Sequence, residues 1–457
     1  VKRHVLRRAH RGRYGQGRIS CGVKRGGPSA RCGAAARDDS KARSRGSRPR
    51  CGVGWTGCGC LGPVQAQTAD GRPSPALSRF ITQVLQQQPA LRSAQAQEEA
   101  ARASLRAAGA PLYNPELGLG AESSDVETRS LGLSQRIDWG DKRGARRQVA
   151  EQELAAARAA SRRVREALTV EMLGALGNYL TREQAAALAQ VRVRFLARSA
   201  DLAERRYGAG DAARSELDLA RLALAEARIK AALADSERAE AEAKLSVLSG
   251  RAASEWPGLP AVPPTVPVLE TEPLLAQLPA LTERRARARA ATAGVRLAER
   301  QRTADPTVAL RAGREGSETL TGLSVSIPLF VRNSHRAEVK AAGARARARE
   351  GEREDAYRRA RARLDAATRR YQLTRAALRG WEQSGRSTLK TRIALLQRIW
   401  TAGEIGTTDY LVQLRQTLDT RLAAVELRGR AWRDWFAWLD AAGRASGWLH
   451  GRLEPTP

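Results

Sequence analysis

The strongest constraint on the fold of this chain is an internal repeat. Residues 114–119 align with residues 305–310, and residues 132–137 align with residues 322–327, at offsets of 191 and 190 residues. Similarity that recurs at an almost constant offset indicates that one structural unit is used twice. We therefore expect the body of the chain to contain two copies of a unit of about 190 residues.

Glycine and proline positions predict the order of elements in each copy. Glycine commonly ends a helix because it adopts left-handed backbone angles. Equivalent glycines recur at an offset of 193 residues, Gly210 and Gly250 in the first copy and Gly403 and Gly443 in the second. Pro89 suits the first turn of a helix that runs to about Gly109. Each copy is predicted to read helix, strand, turn, strand, long helix, turn, helix.

One β-hairpin is predicted in each copy. Residues 128–139 alternate between the two faces of a strand, and residues 322–329 repeat the pattern. The large apolar residues share one face: Leu131, Leu133, Ile137 and Trp139 in the first copy, and Leu323, Val325, Ile327 and Leu329 in the second. Small or polar residues on the other face are typical of a membrane barrel wall. Two soluble hairpins packed on helices are the alternative.

The number of strands indicates how such a barrel would be built. Two hairpins supply four strands, whereas the smallest membrane barrels need about eight to close. We therefore expect several copies of the chain to contribute strands to one barrel. The body of the sequence also lacks an apolar run of the ~20 residues that a membrane helix needs.

A very long helix is predicted after each hairpin. Residues 141–204 contain no proline, and a helix of that length spans roughly 95 Å. The chain turns at residues 207–211 and again at residues 402–406. The returning segments carry apolar residues with coiled-coil spacing: Leu217, Leu224 and Ala231, then Leu411, Leu414, Leu418, Leu422 and Val425. Both copies are therefore predicted to form paired antiparallel helices joined at a glycine-containing tip.

The composition favours long helices over several globular cores. Aromatic residues make up 4% of the chain, and alanine packs helices closely and has the highest helix propensity. We predict a mainly α fold with a small β part, ordered without a thick hydrophobic centre.

The basic charge is concentrated at the start of the chain. The formal net charge is +31, of which residues 1–66 contribute +14. In the remainder, arginine alternates with acidic residues along helix faces, which is typical of solvated helices. An anion-binding surface is the alternative.

Residues 1–66 are predicted to be a basic disordered leader that ends in an export signal. An uncharged run follows Arg50 and ends at Ala66 in a sequence similar to a signal-peptidase site. A basic leader without an export role is the alternative, because the run is rich in glycine. Cys58 and Cys60 are weak candidates for a lipid anchor.

The body offers no familiar catalytic or cofactor site. All five cysteines lie in the first sixty residues, and only His335 and His450 follow residue 66. A cysteine or histidine metal site and a His-based catalytic site are therefore not expected. The sequence also lacks a G-x-x-x-x-G-K-[ST] phosphate-binding loop. We predict a protein that is not an enzyme and uses no cofactor.

Short motifs in the expected order resemble the TolC-like outer-membrane efflux protein family, and especially its heavy-metal-efflux branch typified by CzcC and CusC. The resemblance covers most of residues 75–445. Its motifs are residues 88–91 (QPAL), 113–117 (YNPEL), 207–210 (YGAG), 326–330 (SIPLF) and 401–404 (TAGE). It implies a homotrimer with a twelve-stranded barrel in the bacterial outer membrane and a helical tunnel through the periplasm. It also implies passive conduction, with the tips meeting a periplasmic adaptor and an inner-membrane pump of the resistance-nodulation-division type.

The resemblance also suggests site residues at the tips. Acidic rings constrict the tunnel in this family, and Asp409 is the candidate gate, with Glu216 as its weaker counterpart. Val412 stands where some members have a second acidic residue. The candidate adaptor contacts are the tip residues Gly208, Gly210, Gly403, Glu404 and Gly406. For Asp409, a helix-start carboxylate favoured by the helix dipole is the alternative.

The expected organisation has five parts. They are a leader (1–66), a first efflux repeat (67–250), a Pro-rich linker (251–271), a second efflux repeat (272–445) and a C-terminal tail (446–457). The expected function is the exit duct of a tripartite efflux system, with heavy-metal cations as one cargo. A basic coiled-coil scaffold or nucleic-acid-binding protein is the alternative, and it leaves the repeated hairpins unexplained.

Overall fold

The computed structural model describes residues 71–123, 125–267 and 270–453. The predicted leader lies outside these residues, as do the candidate lipid anchors Cys58 and Cys60. The described residues form long helices and one four-stranded sheet, which confirms the predicted fold class.

Both copies of the repeat form the same order of elements. The first copy contains α1 (Pro75–Gln87), α2 (Pro89–Gly109), β1 (Glu116–Ser123), β2 (Glu127–Arg136), α3 (Lys142–Gly208) and α4 (Arg214–Ser249). The second contains α5 (Thr271–Gln277), α6 (Pro279–Arg300), β3 (Thr307–Glu315), β4 (Glu318–Ser326), α7 (Arg336–Gly380), α8 (Arg386–Thr401), α9 (Thr407–Ala442) and α10 (Ala445–Leu449). The predicted order is confirmed, and the short helices α1, α5 and α10 are additions to it.

Proline and glycine determine where several helices begin and end. Pro89 begins α2 and Pro279 begins α6. Proline has no backbone N–H, and at the first position of a helix that N–H would have no partner within the helix. Gly250 and Gly443 end α4 and α9 with φ angles of 64° and 63°. The glycines that align in sequence therefore also share a left-handed conformation.

The long helix of the first copy has an interrupted counterpart in the second. α3 has 67 residues, which corresponds to about 100 Å. In the second copy, α7 and α8 are separated by a π-helical turn, Trp381–Gly385. The indole of Trp381 packs against Gly385, where an added Cβ would collide with the ring. The π turn is thus a local interruption that brings a bulky side chain against a bare backbone.

The four strands form one antiparallel sheet in the order β1-β2-β3-β4. β1 with β2 and β3 with β4 are the two predicted hairpins. β2 pairs with β3, so that the sheet joins the two copies of the repeat. Leu133 of β2 lies opposite both Leu117 of β1 and Leu310 of β3.

A hydrophobic cluster built from α1 to α7, α9 and α10 contains many of the aromatic side chains. Those from the end of the chain are Trp432, Trp435, Phe436, Trp438 and Trp448. The rings of Trp435 and Trp438 stack with their centroids 4.9 Å apart. The expectation of order without a thick hydrophobic centre is wrong for this region, because the few aromatic residues are concentrated here.

Candidate functional site

The register of the sheet places four leucines in one row across all four strands. Leu117, Leu133, Leu310 and Leu323 are successive cross-strand partners. Their side chains are 67%, 51%, 58% and 68% exposed. Further apolar residues flank the row on the same face: Leu119, Leu131, Val308 and Val325. A continuous exposed apolar face of this kind is suited to lipid or to another apolar surface.

The opposite face of the sheet consists mainly of small and polar residues. Beside the leucine row, Gly118, Gly132, Arg311 and Gly322 form a row of cross-strand partners that point the other way. The alternation predicted from the sequence is therefore present in all four strands. Such a sheet separates an apolar environment from a hydrated one.

The two edges of the sheet are open. β1 and β4 each pair with a single strand of the described chain. Edge strands present N–H and C=O groups that seek partners, and within a bilayer each unsatisfied group costs several kcal/mol. The sheet is therefore incomplete as a membrane structure until other strands join both edges.

A buried ion pair connects the sheet to the start of α3. Asp305 precedes β3, and its Oδ2 lies 2.7 Å from the Nζ of Lys142. The hydroxyl of Tyr113 donates to the same oxygen, also at 2.7 Å. Asp138 accepts hydrogen bonds of 2.8 Å from the backbone N–H groups of Lys142 and Arg143. Together these contacts hold the direction in which α3 leaves the sheet.

The two helix tips contain the same hydrogen-bonded turn. In the first tip, the N–H of Gly210 donates to the carbonyl of Tyr207 at 3.0 Å, and that of Asp211 donates to the carbonyl of Arg206 at 2.8 Å. The second tip repeats both bonds 193 residues later. Gly210 and Gly403 take left-handed φ angles of 83° and 79°. The predicted glycine turns are thus confirmed as equivalent structures.

A second hydrophobic cluster packs the two tips against each other. The rings of Trp400 and Tyr410 stack with centroids 4.1 Å apart and planes 6° apart. The guanidinium of Arg206 lies over the Trp400 ring and donates to the Trp400 carbonyl at 3.3 Å. Burial raises the pKa of the Tyr410 phenol, so that it stays neutral. The tips of the two copies therefore form one packed end of the helices.

The candidate gate residues occupy equivalent positions in the two copies. Glu216 and Asp409 are each the third residue of the helix that follows a tip. The side chain of Asp409 is exposed and makes no hydrogen bond or ion pair with another described residue, whereas Glu216 is half-buried. Val412 is 62% exposed, one turn further along α9.

The candidate adaptor contacts are all exposed at the tips. Gly208 is the last residue of α3, and Gly406 precedes the first residue of α9. Glu404 lies between Gly403 and Gly406. An added Cβ at Gly208, Gly210, Gly403 or Gly406 would meet no atom within 4 Å. These tip residues are therefore open to a partner.

Sequence reasoning missed Asp305 and Trp400 as residues of structural importance. Asp305 aligns with Asn114 of the first copy, but its partner Lys142 is 163 residues away. Trp400 lies in the last turn before a tip and finds its stacking partner on the returning helix. Neither contact leaves a periodic pattern in the sequence.

Two features of the described residues bear on the class of site. Their Cys, His, Asp and Glu side chains form no group of three or more that could hold a metal ion. None of the described helices combines the length and the apolar character needed to cross a bilayer.

The first repeat matches a known family. Residues 80–251 match the family model described as outer membrane efflux protein. No curated protein matches the sequence significantly.

Several solved structures share the fold. The CusC channel superposes with a TM-score of 0.67 at 18% identity, over 82% of this chain and 93% of that chain. The outer-membrane channel OprN gives a TM-score of 0.70 at 20% identity, over 82% and 91%. The open state of the Neisseria gonorrhoeae MtrE outer membrane channel gives 0.65 at 19% identity, over 84% and 93%. At these identities the likeness shows the fold.

The family match and the fold support the same assignment. Proteins of this family are outer-membrane channels rather than enzymes, with a helical tunnel that extends into the periplasm. They act as trimers together with periplasmic adaptors and inner-membrane pumps. Residues 80–251 are therefore similar to the outer membrane efflux protein family, and the fold of the described residues is that of TolC-like outer-membrane channels.

Proposed function

We propose that three copies of this chain form the exit duct of a tripartite efflux system. The observation that carries the proposal is the sheet β1–β4, with its apolar face and its two unpaired edges. Three such sheets supply twelve strands, more than the about eight that a membrane barrel needs to close. The coiled-coil scaffold alternative gives this apolar sheet no role.

The helices provide the length of the duct. α3 alone corresponds to about 100 Å, and α7 with α8 continues over a similar length. The exposed turns at Gly210 and Gly403 lie at the far end of these helices and are the proposed contact with a periplasmic adaptor. An inner-membrane pump of the resistance-nodulation-division type would supply the energy, since the chain contains no phosphate-binding loop.

Asp409 is the proposed gate of the tunnel, with Glu216 in a secondary role. Three Asp409 carboxylates around a narrow axis would repel one another and attract cations. The exposure of its side chain and the lack of a partner among the described residues support this role. The favourable helix-start position accounts for an acidic residue there without a gate, and the conductance measurement in the Discussion separates the two explanations.

Heavy-metal cations are the proposed cargo. The support is the resemblance to the CzcC and CusC branch and the presence of CusC among the similar structures. The described residues hold no metal-binding group, so the duct would conduct such ions without coordinating them. When the gene for this chain is deleted from a strain that depends on it for efflux, the strain should lose resistance to the metal and keep its resistance to organic drugs.

Disulfide trapping between neighbouring copies tests the shared barrel. Residues 67–457 contain no cysteine, so every disulfide of a chain that carries a standard export signal in place of residues 1–66 comes from introduced residues. A cysteine at Leu323 in β4, combined with one at Leu117, Leu119 or Ala121 in β1, should yield covalent trimers. The matched control joins Leu117→Cys with Leu133→Cys, which face each other within one chain and should give only monomers. Absence of intermolecular bonds for every β1–β4 combination would contradict the shared barrel.

A further inference from the structure

A cleft of about 500 Å³ lies where the first described helices of the chain meet the last one. One wall comes from α1 and the start of α2, the second from α3, and the third from α10 and the residues that follow it. The buried side chains of Leu85, Leu91 and Leu449 supply apolar surface. A volume of this size is typical of sites for small molecules. The cleft lies outside the sheet and the tips, and the proposed duct gives it no role.

The ionisable residues that line the cleft are all basic. Arg165 lies on α3, and His450 and Arg452 follow α10. All three residues are exposed, and their side chains make no hydrogen bond or ion pair with another described residue. No aspartate or glutamate is among the described residues that line the cleft. The cleft therefore presents hydrogen-bond donors that lack an acceptor of their own.

The surroundings of the cleft are also basic. The segments around it, residues 79–102, 158–173 and 444–453, contain nine arginines against four glutamates. Glu166 of α3 accepts a hydrogen bond from the N–H of Ser446 at 3.1 Å. Burial raises the pKa of Glu166, which disfavours its charged form. The electrostatic potential in the cleft is therefore positive.

We propose that this cleft binds a small organic anion through carboxylate or phosphate groups. Arginine presents a planar fork of donors that matches both groups, and Arg165 and Arg452 belong to different walls. Gln86 of α1 and Gln95 of α2 add amide donors from the third wall, and neither side chain has a hydrogen bond with another described residue. The inference goes beyond the proposed function and stands apart from it, because every residue that lines the cleft belongs to one chain.

A bound anion would link the beginning of the chain to its end. The indole of Trp448 in α10 already donates to the carbonyl of Gly71 at 3.4 Å. An anion held by Arg165 and Arg452 adds a contact between α3 and the segment after α10. Because such a ligand binds the folded chain alone, it should raise the Tm as its concentration increases.

Calorimetric titration of the detergent-extracted protein with pyrophosphate and with citrate tests the site. Both probes are titrated at about 0.1 M NaCl, where exposed charges are screened beyond about 10 Å. At least one probe should bind saturably, and Arg165→Gln and Arg452→Gln should each weaken its binding about tenfold. The matched control is Arg194→Gln, which should bind as the parent does. Arg194 is exposed on the same helix without a hydrogen bond or ion pair to a described residue, about 44 Å from Arg165.

The outcomes separate the ligand, the site and the duct. Binding of pyrophosphate alone would assign a phosphorylated ligand, and binding of citrate alone would assign a carboxylate. No saturable binding of either probe up to about 10 mM would overturn the site. Equal weakening in Arg194→Gln would also overturn it, since general attraction to a basic chain would then explain the binding. A soluble monomer that still binds a probe would contradict the proposed function and keep the site.

Discussion

Lys142 and Asp305 are 163 residues apart in sequence, yet the Nζ of one lies 2.7 Å from the Oδ2 of the other. Lys142 is the first residue of the long helix of the first copy, and Asp305 precedes the hairpin of the second. Their side chains are 12% and 3% exposed. This ion pair therefore ties the two copies together where the helices meet the sheet.

Removal of the lysine should destabilise the protein strongly. In Lys142→Met the buried carboxylate of Asp305 keeps only the hydroxyl of Tyr113, and its Oδ1 already lacks a partner. Breaking a buried pair in this way costs about 3 kcal/mol, which should appear as a clear fall in the Tm measured by circular dichroism. The matched control is Arg147→Met, because its ion pair with Glu151 is exposed and such pairs contribute within about 1 kcal/mol. Equal Tm values for the two variants would contradict a structural role of the buried pair.

The two faces of the sheet should respond differently to a new charge. Leu133→Arg places a cation on the lipid face, where arginine at mid-membrane costs about 2–4 kcal/mol, so we expect little trimer in the outer-membrane fraction. Ser134→Arg puts the same side chain on the opposite face of the same strand and should be tolerated. Heat-modifiable mobility on gels after membrane fractionation measures the yield. Normal assembly of Leu133→Arg would show that this face does not contact lipid.

The two glycines of the second tip should differ in their tolerance of alanine. Gly403 has a φ of 79°, and a left-handed conformation costs a non-glycine residue about 1–2 kcal/mol. Gly403→Ala should therefore speed hydrogen exchange of the tip amides, and a bulkier residue there should also impair efflux through loss of adaptor docking. Gly406 has a φ of −67°, and Gly406→Ala should exchange as the parent does. Comparable exchange in both variants would argue against a strained turn at Gly403.

Loss of the proposed gate should open the tunnel without unfolding it. Asp409→Ala should leave the trimer intact and raise its single-channel conductance, since the ring of mutually repelling carboxylates is gone. Glu216→Ala should have a smaller effect, because its side chain is half-buried. Asp211→Ala, which removes an exposed acidic residue of the first tip turn, serves as the control. If Asp409→Ala conducts as the parent does, the carboxylate is only a helix-start residue.

Glu166 should make the stability of the helical region depend on pH. Burial raises the pKa of this carboxyl, although the Ser446 N–H donates to it at 3.1 Å. The folded chain therefore holds the proton more tightly, and this stabilising contribution is lost as pH rises from the ordinary carboxyl pKa through the raised value. Glu166→Gln should reduce the fall in Tm between pH about 4 and about 7, whereas Glu171→Gln, at an exposed position on α3, should not. An unaltered pH dependence in Glu166→Gln would assign the effect to other groups.

The sequence predicts the repeated elements well because their signals are local. Alternation within residues 128–139 gives the faces of β2, and Gly210 and Gly403 mark turns whose backbone angles few other residues adopt easily. The alignment of the two copies also places Asp409 and Glu216 at equivalent helix starts before any coordinates are known. The difference in burial, with Asp409 exposed and Glu216 half-buried, does not follow from that shared position.

Contacts between distant segments could not be predicted in this way. The pairing of β2 with β3, the Lys142–Asp305 ion pair and the Trp400–Tyr410 stack depend on how the copies pack, and none of them repeats in the sequence. The π turn at Trp381 depends likewise on the packing of one indole against Gly385. The glycine row around Arg311 became visible only once the strand register was known.

The oligomeric mass and membrane location of the detergent-extracted protein test the central claim most directly. The chain would be produced with a standard export signal in place of residues 1–66, and its mass determined by light scattering with correction for detergent. The account predicts an outer-membrane protein with the mass of three protomers. A soluble monomer or dimer would contradict a barrel built from the strands of three chains.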